Sequence, residues 1–186
     1  MENIGTCGAP RAAETWEAEM ISFYGQDRGT VDSNGRLKLS ADFCRSLRQG
    51  GIDEVTLFGL PEGGIGVYPA STWEQFEEQV IRPAAAQIGN LASRRTLRLF
   101  CARTRQTKVT GQGRITLPDS LREYAGISCG DTVIQAGVGV GLEIWAEDQW
   151  GVEAAQVGTH ATAKGEAEMA LDLPAPDAAG GGADAS

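Results

Sequence analysis

The chain has 186 residues, of which 41% are hydrophobic, and a formal net charge of −9, so it can form one ordinary domain or two small units that share a core. No apolar run approaches the roughly 20 residues needed to cross a membrane, and the N-terminal M-E-N-I-G-T-C-G-A-P-R lacks the pattern of a secretory signal. One histidine and four scattered cysteines without a C-x-x-C pair argue against a zinc site or a disulfide framework and favour a cytoplasmic chain with reduced thiols.

The first predicted elements follow an extension, residues 1–20, in which only a short helix over about residues 12–20 is expected. The segment V-D-S-N-G-R-L-K-L-S (residues 31–40) then predicts a strand, a turn and a second strand. Leu37 and Leu39 alternate with Arg36 and Lys38, which is typical of a half-buried strand with its polar face outward.

The D-S-N-G turn between these strands has two interpretations. Asp32 could open a type I turn whose fourth residue, Gly35, adopts a positive φ in a bulged hairpin. Alternatively, Asn34 and Gly35 could form the centre of a type I′ turn. Both interpretations predict a hairpin with Arg36 directly after the glycine.

A helix, two strands and a second helix are predicted after this hairpin. Ser40 is a good N-cap for the first helix, and Gly50 is placed to end it. D-E-V-T-L-F and I-G-V-Y-P predict paired strands. Ser71, with Glu74 three residues later, predicts a capping box at the start of the second helix.

The helical stretch P-A-A-A-Q-I-G-N-L-A-S-R-R-T-L-R-L-F links this unit to the next and is interrupted near Gly89 and Asn90. It lies in a segment, residues 82–118, that contains no Asp or Glu but eight cations. This imbalance within an acidic chain predicts an anion-binding face. The alternative is that these cations only solvate one face of a helix.

A second unit repeats the first at an offset of 78 residues. V-T-G-Q-G-R-I-T-L-P (residues 109–118) matches the first hairpin, so Gly113 and Arg114 align with Gly35 and Arg36. D-T-V-I-Q-A and L-E-I-W predict the next two strands. A repeat of this length indicates one supersecondary unit used twice, with the order strand, strand, helix, strand, strand, helix.

The chain ends in a tail that is acidic and rich in Ala, Gly, Thr and Pro. A C-terminal helix is predicted over residues 149–157. From residue 158 onwards the composition offers too little apolar surface to offset the entropy of ordering, so residues 158–186 are predicted to be disordered.

The second hairpin and the residues after it, G-Q-G-R-I-T-L-P-D-S-L-R-E-Y-A-G-I-S-C-G-D-T-V-I, closely resemble the AbrB/SpoVT swapped-hairpin DNA-binding domain. Two such units, each closed by an aromatic and a Trp five residues later (V-Y-P-A-S-T-W and I-W-A-E-D-Q-W), resemble the MraZ family of bacterial transcription regulators. The resemblance covers about residues 23–157.

The resemblance implies an α+β, mainly β fold, in which two swapped-hairpin units of the order β-β-α-β-β-α are related by pseudo-two-fold symmetry. The implied division is an extension (1–20), repeat one (24–71), connecting helices (72–100), repeat two (101–148), a C-terminal helix (149–157) and the tail (158–186). It also implies a closed homo-oligomer, such as a ring, that associates with the nucleoid. Its partner would be double-stranded DNA at promoter repeats of the cell-division and cell-wall gene cluster, and no cofactor, metal or membrane is expected.

Each hairpin matches part of the motif Asp-x-Lys-Gly-Arg that the resembled family has at this place. In the first hairpin Asp32, Gly35 and Arg36 match while Asn34 replaces the lysine, and in the second Thr110 stands where the aspartate is expected. Arginine can make a bidentate contact to guanine, and Asn or Gln can contact adenine. The candidate DNA-binding residues are Asp32, Asn34, Arg36, Lys38, Gln112, Arg114, Arg103, Arg105 and Lys108, with Arg94, Arg95 and Arg98 contacting phosphate and Gly35 and Gly113 forming the turns.

Other interpretations of these residues and of the fold remain open. Asp32 could only stabilise its own turn, and the two hairpin arginines could only cover apolar neighbours with their stems. An AbrB-like antitoxin that inhibits a toxin, or a degenerate interaction scaffold with weak DNA binding, would carry the same fold. An enzyme is not expected, because one histidine in the tail offers no catalytic triad and no phosphate-loop pattern occurs.

Overall fold

A computed structural model describes residues 22–169. The strands are β1 (Gln26–Thr30), β2 (Arg36–Lys38), β3 (Glu54–Gly59), β4 (Ile65–Pro69), β5 (Thr104–Lys108), β6 (Arg114–Thr116), β7 (Thr132–Gly137) and β8 (Leu142–Ala146). The helices are α1 (Ala41–Gln49), α2 (Ala70–Phe76), α3 (Arg82–Ala86), α4 (Leu91–Cys101), α5 (Asp119–Tyr124) and α6 (Glu147–Met169), with a π-helical turn (Glu77–Ile81) between α2 and α3. The predicted α+β, mainly β class is confirmed.

The two halves of the chain exchange strands. One antiparallel sheet has the order β1-β7-β8-β4-β3-β5, so β1 pairs with β7 of the second half and β5 pairs with β3 of the first. The central pair, β4 and β8, also joins the halves. The repeat relates β1 to β5, β3 to β7 and β4 to β8. Exchanging each strand for its counterpart in the other half gives the same strand order read backwards.

The two short strands form a separate ribbon. β2 pairs with β6, with Leu37 opposite Ile115 at its centre. The sequence predicted that β1 and β2 would form an ordinary hairpin, and this is wrong beyond the turn. Only a single bridge, between Val31 and Leu37, joins the two sides, because β1 leaves to enter the large sheet and β2 turns to meet β6.

The sheet is covered on both faces. Val55 and Leu57 of β3 belong to the larger core cluster, which also contains Leu37 and Ile115 of the ribbon. Phe58 of β3 belongs to a second cluster with aromatic residues of α2 and α4. Since successive strand residues point to opposite faces, the ribbon with α1 and α5 lies on one face, and α2 with α4 packs on the other.

Of the three helix ends predicted from the sequence, at Ser40, Gly50 and Ser71, the first two are confirmed. Ser40 accepts a hydrogen bond from the N–H of Phe43 (3.4 Å) and caps α1, and Gly50 follows its last residue. Gly126 follows α5 with a φ of 65°. The predicted capping box at Ser71 is wrong: β4 runs directly into α2, which begins at Ala70 after Pro69 and has no side-chain cap.

The link between the halves is broken as predicted. Asn90 caps α4 by accepting from the N–H of Ala92 (2.8 Å). Before it, the N–H of Arg82 bonds to the carbonyl of Glu77, five residues back, which widens the helix into a π-turn. Pro83 explains this turn, because its ring disfavours the ordinary bond pattern to the preceding turn.

The C-terminal helix is longer than predicted. α6 extends to Met169, so the prediction of disorder is wrong for residues 158–169. Ala, Lys and Glu in this segment are strong helix formers, and a helix that is already nucleated adds residues at little cost. Residues 170–186, and the helix expected over residues 12–20, lie outside the described residues.

No helix in the described part of the chain is both long enough and apolar enough to cross a membrane.

Candidate nucleic-acid interface

The tip of the first hairpin is a type I turn closed by a glycine. The N–H of Gly35 donates to the carbonyl of Asp32 (2.9 Å), and Gly35 has a φ of 70°. No residue other than glycine has a positive φ within residues 22–169. A type I′ turn would require one at Asn34, so the structure selects the first of the two interpretations.

Asp32 organises this turn and holds the arginine that follows it. Its Oδ1 accepts from the backbone N–H groups of Asn34 and Arg36 (both 2.9 Å), and its Oδ2 accepts from Nε of Arg36 (2.9 Å). The bond from the backbone of Arg36 is the main cause that lowers the pKa of Asp32 below its ordinary value, with help from Asn34 and the Arg36 guanidinium. The carboxylate is therefore charged at neutral pH and orients Arg36.

The second hairpin has the same backbone with a weaker side-chain bond. The N–H of Gly113 donates to the carbonyl of Thr110 (2.7 Å), and Gly113 has a φ of 72°. Oγ1 of Thr110 accepts from the N–H of Arg114 (3.0 Å), as Asp32 does from Arg36. Thr110 has no charge to hold the guanidinium, and Arg114 makes no ion pair within residues 22–169.

The ribbon brings three predicted cations together. Lys38 lies directly opposite Arg114, and Arg36 lies opposite Thr116, while Leu37 and Ile115 point into the core. Like charges directly opposite on a ribbon repel each other. Among the described residues, Asp32 is the only carboxylate that forms an ion pair with these cations, so the ribbon is a candidate anion-binding surface.

The tips and the neighbouring edge strand extend this cationic ribbon. Asn34 and Gln112 are exposed at the two turns. Arg105 of β5 is opposite Leu57 and therefore points to the ribbon face of the sheet. Lys108 is opposite Glu54 and points to the other face, at the end of the strand nearest the second tip.

Four other predicted cations are not part of the ribbon. Arg103 lies over the ring of Tyr124, 4.1 Å from its centroid, and its role in DNA binding stays a prediction. Arg94 donates to the carbonyls of Ile88 and Gly89 (3.0 and 2.9 Å). Arg95 and Arg98 are exposed on α4, which packs on the sheet face opposite the ribbon. The structure does not bring these three α4 cations to the ribbon.

One supporting residue was missed from the sequence. Gln135 is 1% exposed, and its side chain joins the ribbon to the sheet. It donates to the carbonyl of Lys38 (3.2 Å) and accepts from the N–H of Ser40 (3.2 Å). The matched positions hold Leu57 and Pro118. Proline has no N–H, so the second half needs no such acceptor, and this paired difference between the copies is the signal that could have identified Gln135.

The exchanged strands, the two matched tips and the cationic ribbon define a swapped-hairpin protein made of two fused units. Comparison with known proteins leads to one family. A family model described as "MraZ protein, putative antitoxin-like" matches residues 100–173.

Three relatives, each named "Transcriptional regulator MraZ", match this chain over most of their own length. The protein of Roseiflexus sp. (strain RS-1) is 34% identical over 128 residues, which cover 69% of this chain and 83% of the relative. That of Lachnoclostridium phytofermentans is 33% identical over 128 residues (69% and 84%), and that of Thermus thermophilus is 29% identical over 127 residues (68% and 83%). The chain belongs to the MraZ family.

Proposed function

We propose that this chain is a sequence-specific, DNA-binding transcriptional regulator. The observation that carries the proposal is the ribbon, where Arg36, Lys38 and Arg114 lie side by side with one carboxylate, Asp32, among them. A two-stranded ribbon fits the major groove of DNA, where an arginine can recognise guanine through two hydrogen bonds. Family membership supports the same function, since the relatives named above are called transcriptional regulators.

In this proposal the residues divide by task. Arg36 and Arg114 contact base edges, with Asn34 and Gln112 beside them at the tips. Lys38 and Arg105 contact phosphates around the ribbon, which positions the protein without specifying a sequence. Arg103, Lys108 and the three arginines of α4 are backbone contacts at greater distance, reached by long or bent DNA or through a neighbouring copy.

The target and the assembly belong to the proposal as well. We take the target to be promoter repeats of the cell-division and cell-wall gene cluster, bound by a cytoplasmic, nucleoid-associated homo-oligomer. Repeated sites suit a protein that presents several copies of one ribbon. Exposed apolar side chains at one end of the sheet, Tyr24, Val138 and Val140, support self-association.

A second candidate, an antitoxin, is favoured by the "antitoxin-like" description of the matching family model. It would use the same ribbon on DNA and a separate surface on a toxin. Purification of the chain from its own host would separate the two functions. A stoichiometric toxin-like partner would favour the antitoxin, and recovery of the chain without one would favour the regulator.

Selection of binding sites from random duplex DNA tests the proposed function. The wild type should enrich a short motif, and Arg36→Ala should lose that enrichment because the oriented guanidinium is gone. Arg45→Ala is the matched control, since Arg45 is bonded to Asp42 (2.9 Å) on α1 and is not part of the ribbon. Failure of the wild type to enrich any motif would leave the scaffold as the better interpretation.

A further inference from the structure

A cleft of about 630 Å³ opens beside the ribbon, between the first unit and the tip of the second hairpin. Its walls are the end of β2, the start of α1, strand β1 and the tip of the second hairpin at Gly111 and Gln112. This volume lies within the usual range of small-ligand sites. The cleft therefore has room for a group larger than a few waters.

The cleft has cations on its walls and no carboxylate. Arg28, Lys38 and Arg48 line it, together with neutral donors such as Thr30, Ser40 and Gln112. Arg28 is paired with Glu147 (2.8 Å) at the rim. Lys38 and Arg48 make no ion pair within residues 22–169, and the Nε of Arg48 is held by the carbonyl of Cys44 (3.1 Å).

An arginine occupies the corresponding place in the other half. Arg122 takes the position that Cys44 has in the first unit, and its Nε lies 3.1 Å from where a Cβ on Gly35 would be. Its guanidinium donates to the carbonyl of Leu117 (3.2 Å) and to Asp119 (2.5 Å), so its charge is already neutralised.

The three wall cations are replaced by neutral residues in that half, which instead carries Arg122 at the position of Cys44 and Lys108 at the position of Thr30. Arg28, Lys38 and Arg48 correspond to Gln106, Thr116 and Gly126 at the repeat offset. The Cys44 side chain, which is much shorter than that of Arg122, contacts Gly113 and lines the cleft. The two cations without an ion pair, Lys38 and Arg48, therefore lie together on the walls of the cleft.

We propose that this cleft is a phosphate-binding site, with Lys38 and Arg48 as its charged ligands and Gln112, Thr30 and Ser40 as its neutral ones. Charge-assisted bonds to phosphate oxygens are stronger than neutral ones, and arginine matches their geometry. The phosphate belongs either to the backbone of DNA docked on the ribbon or to a free small molecule. The first source rests on the function proposed above, because Lys38 and Gln112 belong to both surfaces, whereas the second does not.

The first arm of the test measures duplex affinity against salt for the full chain. Arg48→Gln should reduce the slope of log affinity on log salt by about 1, on operator and scrambled duplex alike, as loss of one phosphate contact does. Arg48→Lys keeps the charge and should keep the slope. Arg45→Gln, on the same helix but outside the cleft, is the matched control and should not change it.

The second arm titrates the same proteins with inorganic pyrophosphate, without DNA. Saturable binding to the wild type that is lost in Arg48→Gln and kept in Arg45→Gln identifies a free phosphate ligand, whether or not the duplex slope changes. A reduced slope without pyrophosphate binding identifies the DNA backbone. Identical behaviour of Arg48→Gln and Arg45→Gln in both arms overturns the proposal.

The two proposals fail in different ways. If the wild type binds no duplex at all, the regulator function is refuted and the pyrophosphate arm alone decides on the cleft. If the wild type binds its operator through Arg36 while Arg48→Gln changes neither arm, the function stands and the phosphate site does not.

Discussion

Arg36 and Arg114 occupy matched positions, but they differ in how firmly they are held. Asp32 accepts from Nε of Arg36 as well as from its backbone, so one guanidinium orientation is already selected before DNA arrives. Thr110 accepts only from the backbone of Arg114. A side chain that must be ordered on binding loses more conformational entropy, so the first hairpin should read bases better than the second.

The first prediction compares these two arginines. Arg36→Ala should cost about 1–3 kcal/mol in operator binding and relax base preference, the usual scale for a bidentate guanine contact. Arg114→Ala should cost less and weaken all sequences alike. The measurement is the affinity of each variant for operator and scrambled duplex at one salt concentration. Equal loss of discrimination in both variants would show that the asymmetry has no effect on recognition.

The second prediction concerns the charge of Asp32. Its folded-state pKa is lowered, mainly by the bond from the backbone of Arg36, so the stability it adds is present above its ordinary pKa and is lost as pH falls through the lowered value. Asp32→Asn should therefore be less stable than wild type near pH 7, and the difference should shrink as the pH falls below about 4, the ordinary pKa of an aspartate. Thermal unfolding across this range measures it. A difference that is constant with pH would rule out the carboxylate charge as its source.

At the scale of elements, the sequence predicted the individual strands and helices better than it predicted which strands pair. The alternation around Leu37, the cap at Ser40 and the break at Asn90 are local signals, and each was right. Residue patterns did not predict that β1 would leave its own hairpin for β7, because a strand's partner depends on contacts far away in sequence. The exchange was expected only from the family resemblance.

The candidate site was also predicted where it depends on local motifs and was not predicted where it depends on strand pairing. The turn residues and both arginines were identified because short motifs determine turn geometry. The juxtaposition of Lys38 and Arg114 depends on the register of β2 with β6, which no local pattern encodes. The α4 arginines were selected from their charge alone, and charge does not predict on which face of the sheet a helix packs.

The third prediction tests how the ribbon is attached to the sheet. Gln135→Leu should destabilise the fold by about 1–3 kcal/mol, because the N–H of Ser40 and the carbonyl of Lys38 lose their partners in a partly buried place. Ser40→Pro removes that N–H and fits the backbone, since Ser40 has φ −61° and ψ 161°, close to the −59° and 147° of Pro118.

The double variant, Gln135→Leu with Ser40→Pro, recreates the residues of the second half. It should be less destabilised than the sum of the single variants, and the loss of the Ser40 cap does not alter this, because that loss is already counted in the Ser40→Pro single variant. Denaturant unfolding of the four proteins measures this coupling. Strict additivity would mean that Gln135 does not act through the N–H of Ser40.

At the scale of the whole molecule, the fourth prediction is self-association. Tyr24 is 73% exposed, and the bridge between Phe23 and Gly139 places it beside Val138 and Val140, which are 41% and 55% exposed. We expect light scattering to find a closed oligomer, and Val138→Asp with Val140→Asp to give smaller species, because a charge would be buried in the contact. A monomeric wild type at micromolar concentration would contradict it.

The central claim is that DNA is read by the ribbon, and two matched triple variants test it most directly. One changes Arg36, Lys38 and Arg114 to Gln, and the other changes Arg94, Arg95 and Arg98 to Gln, so both remove three charges. Affinity for operator and scrambled duplex at one salt concentration should show that the ribbon variant loses operator discrimination, while the α4 variant keeps it and weakens both duplexes alike. Retained discrimination in the ribbon variant would contradict the account.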